Sequence, residues 1–459
     1  MRALWSLTIV LFCASLYFLW VNAGVRQIAM LPYKPNQIAV ALVLVIGVAS
    51  MLLPAQRKAT WLVVQGNQTF FTVFTSFLFL QLMTVTWIEP HGNFVYLLGK
   101  QTAYFLCALF LAGALTGHYR YTALKAGYWG LLGGLVVFTA VFAYLADVLG
   151  SGVWAAVTGA LFEGDANALQ FKVFSMLFNF YDGQLIAKGD ADFQGTALRN
   201  TLVGVFVVTS VLFWSRTENV LSDRFLGTPY ITVAVTLLCG FFTIASVSRS
   251  NIIVFVIAGG VVMVTSFFYQ SSQSRSRKKS RWFLLVAGLA GLLVSGNLLA
   301  AFFQGLANIG IERFGNFANE PRWVMYDDAL RGIEQRILLG HGLGAEIESF
   351  GHRVHNLFLA SWYEGGIILF LSSAAMYLSL LRSVVVIHLR SIALPDFGRG
   401  RLLLAPGGVA ALSILPLFRP LISGEGGAFT LVEWFCVAVL LAERSNTRTA
   451  ARQVGTESL

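Results

Sequence analysis

About twelve apolar runs, most near the roughly 20 residues that a helix needs to cross a bilayer core, divide the chain from end to end. This pattern constrains the fold more than any other feature of the sequence. In the bilayer core every backbone N–H and C=O must be satisfied within the protein, and a helix does this inside one segment. The runs are Leu4–Val21, Ile38–Leu53, Trp61–Val85, Tyr96–Leu115, Tyr128–Leu149, Leu198–Trp214, Tyr230–Ala245, Asn251–Tyr269, Trp282–Phe302, Asn356–Leu381, Leu402–Leu417 and Ala428–Ala442. Of the 459 residues, 57% are apolar and only 12% charged. A soluble fold cannot hide that much apolar surface, so a soluble enzyme, a disordered chain and a disulfide scaffold are excluded. The expected fold is all-α and polytopic. Cys13, Cys107, Cys239 and Cys436 each fall inside an apolar run and read as small buried hydrophobes.

An even number of spans puts both termini on one side. The cluster Arg275, Arg277, Lys278, Lys279 and Arg281 fixes which side, because basic residues concentrate in cytoplasmic loops. With the N-terminus cytoplasmic, 19 of the 32 basic residues fall on inner segments with five of the 22 acids, and nearly all the remaining carboxylates face out. The organisation that follows is helices 1–5 over 1–149, an outer amphipathic segment over 150–197, helices 6–9 over 198–303, a large outer loop over 304–354, helices 10–12 over 355–443 and a cytoplasmic tail over 444–459.

The two outer segments are too long to be simple turns. In the second, Trp323, Tyr326, Leu330, Ile333 and Ile337 recur at helical spacing and predict a helix with that face apolar, started by Pro321. Asp327 and Asp328 read as part of its solvated face. His341 lies in Leu339-Gly340-His341-Gly342-Leu343-Gly344, which reads as a turn returning the chain to the membrane.

Three positions are candidates for chemistry. Arg249, within Ser246-Val247-Ser248-Arg249-Ser250-Asn251, stands at an outer helix end, where a guanidinium fork and helix N–H groups suit a phosphate. It reads equally as an interfacial anchor. Arg199 opens the sixth run with the same two readings, and two Arg residues match a pyrophosphate better than one. His355 stands at the outer mouth of the tenth run. A helix N-terminus disfavours imidazolium, which leaves a neutral base for a hydroxyl. The alternative is a capping or interfacial histidine. Arg353, Asn356 and Glu364 surround it in sequence and are possible supporting residues.

Together these pieces resemble the O-antigen ligase family, related to the O-antigen polymerases. His355, nine residues and Gly365, within His-Asn-Leu-Phe-Leu-Ala-Ser-Trp-Tyr-Glu-Gly-Gly, look like the family's His-x9-Gly signature. The stretch from Pro321-Arg322-Trp323 to Leu339-Gly340-His341-Gly342 is similar to its large periplasmic loop, with Arg322 as the loop's Arg. Ser248-Arg249 looks like its Ser-Arg element, and Arg199 like its other outer Arg.

The resemblance implies a GT-C-like membrane fold in the bacterial inner membrane, with the active site at the periplasmic face. It implies a glycosyltransferase that moves a glycan from undecaprenyl pyrophosphate to a sugar hydroxyl of lipid A–core. No nucleotide sugar, ATP, metal or other cofactor is expected, and no nucleic acid. His355 is then the base, and Arg199 and Arg249 hold the pyrophosphate. An attack opposite the leaving group inverts the anomeric centre. Two other readings stay open at this point: a polymerase with a lipid-linked glycan as acceptor, and a transporter or flippase of lipid-linked sugars.

Overall fold

The computed structural model describes residues 35–86, 94–116, 321–350, 356–393 and 437–446, with short pieces at 158–160, 162–165, 234–235 and 304–305 and single positions 88, 136, 238, 308, 354, 434 and 448. Every regular element among them is helical. Three helices are long and apolar enough to cross a membrane, or four if one sharply bent pair counts as a single span. The protein is thus a helical membrane protein. The expected runs Leu4–Val21, Leu198–Trp214, Asn251–Tyr269, Trp282–Phe302 and Leu402–Leu417 lie outside the described residues. So do all but isolated positions of Tyr128–Leu149, Tyr230–Ala245 and the amphipathic segment 150–197.

Helix α1 (Pro35–Ser50) ends where Met51, Leu52 and Leu53 donate their amides three residues back and Pro54 contributes no N–H. The chain turns by 107° into α2 (Pro54–Gly66), with Pro54 at its first turn. Helix α2 buries Gln56, Thr60, Val63 and Gly66 at helical spacing. It packs against α4 (Phe94–Thr116), where Gly113 leaves room for Thr60: a Cβ there would stand 2.5 Å from the threonine hydroxyl.

Asn67 then interrupts the helix before α3 (Gln68–Met83). The single span Trp61–Val85 expected from hydropathy is therefore two elements. The amide of Asn67 donates to the carbonyls of Val63 and Leu441, both at 2.9 Å, so the corner is tied to the C-terminal helical residues 437–446. Ser445 donates to Leu62 O, and Arg448 to Gln65 O, at the same corner. Phe70, Phe71, Phe74 and Phe77 make α3 an aromatic ridge, with Phe74 stacked on Phe105 of α4 at 4.4 Å and edge-on to Trp434 at 5.3 Å.

Residues 321–350 supply α5 (Pro321–Gln335) and the short α6 (Ala345–Phe350); α7 (Leu357–Ala393) follows and lies along α3. Helix α5 begins at the expected Pro321, but the expected apolar face is only partly the buried one. Ala329 and Ile333 are buried, whereas Trp323, Leu330 and Ile337 are exposed. Helix α7 is two helices across a break at Gly366, whose φ of 70° and ψ of −169° lie in a region that glycine alone visits.

Candidate functional site: a glycine turn clamped on a broken helix

The break at Gly366 releases backbone groups that the helix would otherwise pair, and buried groups of this kind must find partners. The Gly340–Gly344 turn provides them. The amide of His341 donates to Tyr363 O at 2.8 Å, and that of Gly342 to Glu364 O at 2.7 Å. In return Ile367 donates to Ile337 O at 2.9 Å, and the same carbonyl accepts the indole N–H of Trp362 at 3.2 Å. The buried carboxylate of Glu364 accepts the amide of Gly344 through Oε1 at 2.7 Å. Backbone lies directly on backbone here. A Cβ on Gly340 would meet Glu364 O at 2.5 Å, and one on Gly366 would meet Leu338 O at 2.0 Å. Leu343, at the tip of the turn, packs on Phe94 and Leu97 at the start of α4.

The turn also closes α5. A helix leaves its last carbonyls without intrahelical donors. His341 Nε2–H donates to Gly332 O at 2.9 Å, and its ring stacks on Tyr363 at 4.5 Å with 17° between the planes. Gly332 gives the Tyr363 ring its place, since a Cβ there would stand 2.4 Å from it. Ile333, Ala345 and Tyr363 form the buried centre between α5, α6 and α7.

His355, Arg199, Arg249 and Arg353 lie outside the described residues. Arg322 stands in the first turn of α5. Both chain neighbours of His355 are described. The N–H of Val354 donates at 2.9 Å to Oε2 of Glu346, a carboxylate that is itself buried. Asn356 is the N-cap of α7: its Oδ1 accepts the amides of Phe358 at 2.9 Å and Leu359 at 3.1 Å. Its observed role is therefore to start the helix. Glu364, which the sequence offered as a support near His355, holds the glycine turn.

Glu346 and His341 were not found as site residues from the sequence. For Glu346 the available signal was a carboxylate between apolar neighbours, eight residues before Val354. For His341 it was the alternation of glycines at 340, 342 and 344, a pattern that admits close backbone approach.

Beside the turn lies an open cleft of about 680 Å³. Asp328, Arg331 and Gln335 of α5 form one wall, and Ser349 and Phe350 of α6 the other. His341 and Tyr363 line it between them. The guanidinium of Arg331 pairs with Asp327 one turn back on the exposed surface of α5. Among the described residues no group of three or more His, Cys, Asp or Glu stands close enough to hold a metal ion.

Apolar helices of spanning length, with a polar cleft beside the break in one of them, define a helical membrane protein. Residues 234–374 match the family model described as Wzy_C, O-antigen ligase, which supports the assignment of the chain to the O-antigen ligase family. The match covers Arg249, α5, the glycine turn, α6, His355 and α7 as far as Ala374; Arg199 precedes it. No curated protein matches the chain.

Proposed function

We propose that the chain is an O-antigen ligase, a glycosyltransferase that moves a glycan from undecaprenyl pyrophosphate to a sugar hydroxyl of lipid A–core at the periplasmic face of the bacterial inner membrane. The observation that carries this reading is the family match across the segment that holds His355 and the clamped turn. Support comes from the anchoring of the two neighbours of His355, Val354 by a buried carboxylate and Asn356 by its own helix cap.

In this reading His355 takes the proton of the acceptor hydroxyl as its oxygen attacks the anomeric carbon. The carbon–oxygen bond to the lipid pyrophosphate breaks, and Arg199 and Arg249 receive the charge that develops on the leaving group. Pyrophosphate is already a good leaving group, so two guanidinium forks suffice and the reaction needs no metal. Attack from the opposite face inverts the anomeric centre. The Val354–Glu346 bond and the Asn356 cap fix the two chain neighbours of His355, which matters because small misplacements of a reacting group cost large factors in rate.

The test in cells is a deletion complemented with wild-type or His355→Ala protein, with lipopolysaccharide separated by gel. The ligase reading expects bare lipid A–core and accumulated lipid-linked glycan without the wild-type protein. Single repeat units joined to core would instead show a polymerase. Accumulation of the lipid-linked glycan on the cytoplasmic side alone would show a flippase.

A further inference from the structure

We propose that the cleft between α5 and α6 is an oligosaccharide subsite, which seats sugar rings of one substrate beside the reacting end of α7. The proposal rests on the glycosyl-transfer reading above and adds a place for the sugar to it.

Size comes first. About 680 Å³ falls within the range of about 300–1,000 Å³ that ligand sites occupy. Chemistry narrows the ligand further. The rim carries a carboxylate, a guanidinium, a carboxamide and a hydroxyl from Asp328, Arg331, Gln335 and Ser349, a mixture of donors and acceptors. Such a set satisfies the paired hydroxyls of a sugar, each of which both donates and accepts. The half-buried ring of Phe350 adds an apolar face to this mainly polar lining, a place for the C–H face of a pyranose.

Charge excludes the obvious rival. Arg331 is paired with Asp327, and Asp328 lies on the same cleft wall, so the cleft carries no excess positive charge to hold a pyrophosphate. Its polar lining equally excludes a lipid tail. Position completes the case. The chain leaves the cleft at Ser349 and Phe350, passes through His355 and returns to the cleft at Tyr363, six residues or about 9 Å along α7 from Leu357. Sugar rings seated here belong to a molecule whose reacting end lies at the start of α7.

Two substrates could supply those rings, the glycan of the lipid-linked donor and the core sugars of the acceptor. The experiment uses full-length protein in lipid nanodiscs and saturation-transfer NMR. Three probes are used: the lipid-free O-glycan of the source bacterium's lipopolysaccharide, its lipid-free core oligosaccharide, and inorganic pyrophosphate. Binding of either oligosaccharide is expected, and the one that binds names the source. The double variant Arg331→Ala/Gln335→Ala should weaken that binding at least fivefold. Both side chains are on the exposed part of α5, so the variant should purify and run on size exclusion as the wild type does. Glu334→Ala, on the same helix but away from the cleft, should bind as the wild type does. Pyrophosphate should not displace the sugar.

Failure of both oligosaccharides to bind, unchanged binding by the double variant, or displacement by pyrophosphate would each overturn the proposal. In reconstituted transfer the double variant should raise KM for the substrate that owns the rings at least fivefold, more than it lowers kcat. A protein that binds the sugar but transfers nothing keeps the cleft and removes the transferase reading. One that transfers with unchanged KM values in the double variant does the reverse.

Discussion

Glu364 holds Gly344 across 20 positions of sequence: the carboxylate, buried in α7, accepts the amide at the end of the glycine turn at 2.7 Å. The backbone carbonyl of the same glutamate accepts the amide of Gly342. One residue thus closes the turn twice, once through its side chain and once through its main chain. Removing the carboxylate strands the amide of Gly344 in a buried place, which costs about 1–3 kcal/mol. Glu364→Leu should therefore lower the melting temperature of the purified protein by that equivalent, while Glu364→Gln, whose amide oxygen still accepts, should recover most of the loss. Equal losses in the two variants would show that the acceptor is not what matters.

Gly366 is the pivot of the break. Its backbone conformation strains any other residue by about 1–3 kcal/mol. A methyl group would also collide with the Leu338 carbonyl, and forcing extra atoms into a packed place adds about 1–3 kcal/mol. Gly366→Ala should be among the most destabilising single substitutions, read as loss of monodisperse protein on mild heating. At Gly365, where φ is not left-handed, the three atoms nearest to an added Cβ belong to the Leu369 side chain rather than to backbone, and Gly365→Ala should cost less.

Asn356 caps α7, and a lost cap costs about 0.5–2 kcal/mol. Asn356→Ala should show that loss in thermal unfolding. Asn356→Asp keeps an acceptor and adds a charge that suits a helix N-terminus, so it should restore stability and retain transfer. Loss of transfer in a stable Asn356→Asp variant would assign the amide a part in the chemistry.

Gln101 is fully buried in α4 with both amide atoms unpaired among the described residues, on the face that carries Phe94 and Leu97. Replacing an unsatisfied buried polar group with an apolar one of similar shape is stabilising, by an amount of about 1–3 kcal/mol. Gln101→Met should raise the melting temperature. A fall instead would mean that the amide has a partner in the working protein.

The sequence made the helices legible where two independent signals agreed. Hydropathy placed Tyr96–Leu115, and α4 runs from Phe94 to Thr116. A proline and a helical period placed α5 at Pro321, and the run starting at Asn356 became α7. Hydropathy failed at Asn67, because a polar residue that caps a corner with its side-chain amide does not lower a window average enough to show. It also misread which side of α5 is buried. Helix α5 exposes apolar side chains such as Trp323 and Leu330, so periodicity alone does not say which stripe meets protein. The turn at Gly340–Gly344 was legible as a turn, but its acceptors lie on Tyr363 and Glu364, more than a loop's length away. Nothing local in a sequence announces a helix break and a turn as two halves of one contact.

Purified protein reconstituted with lipid-linked glycan and lipid A–core, with products separated by gel, tests the central claim most directly. Wild-type protein should convert lipid A–core to the glycan-bearing form, in EDTA as well as without it. His355→Ala should convert none while remaining folded and inserted. Full transfer by His355→Ala, or no transfer by the wild type, would contradict the account.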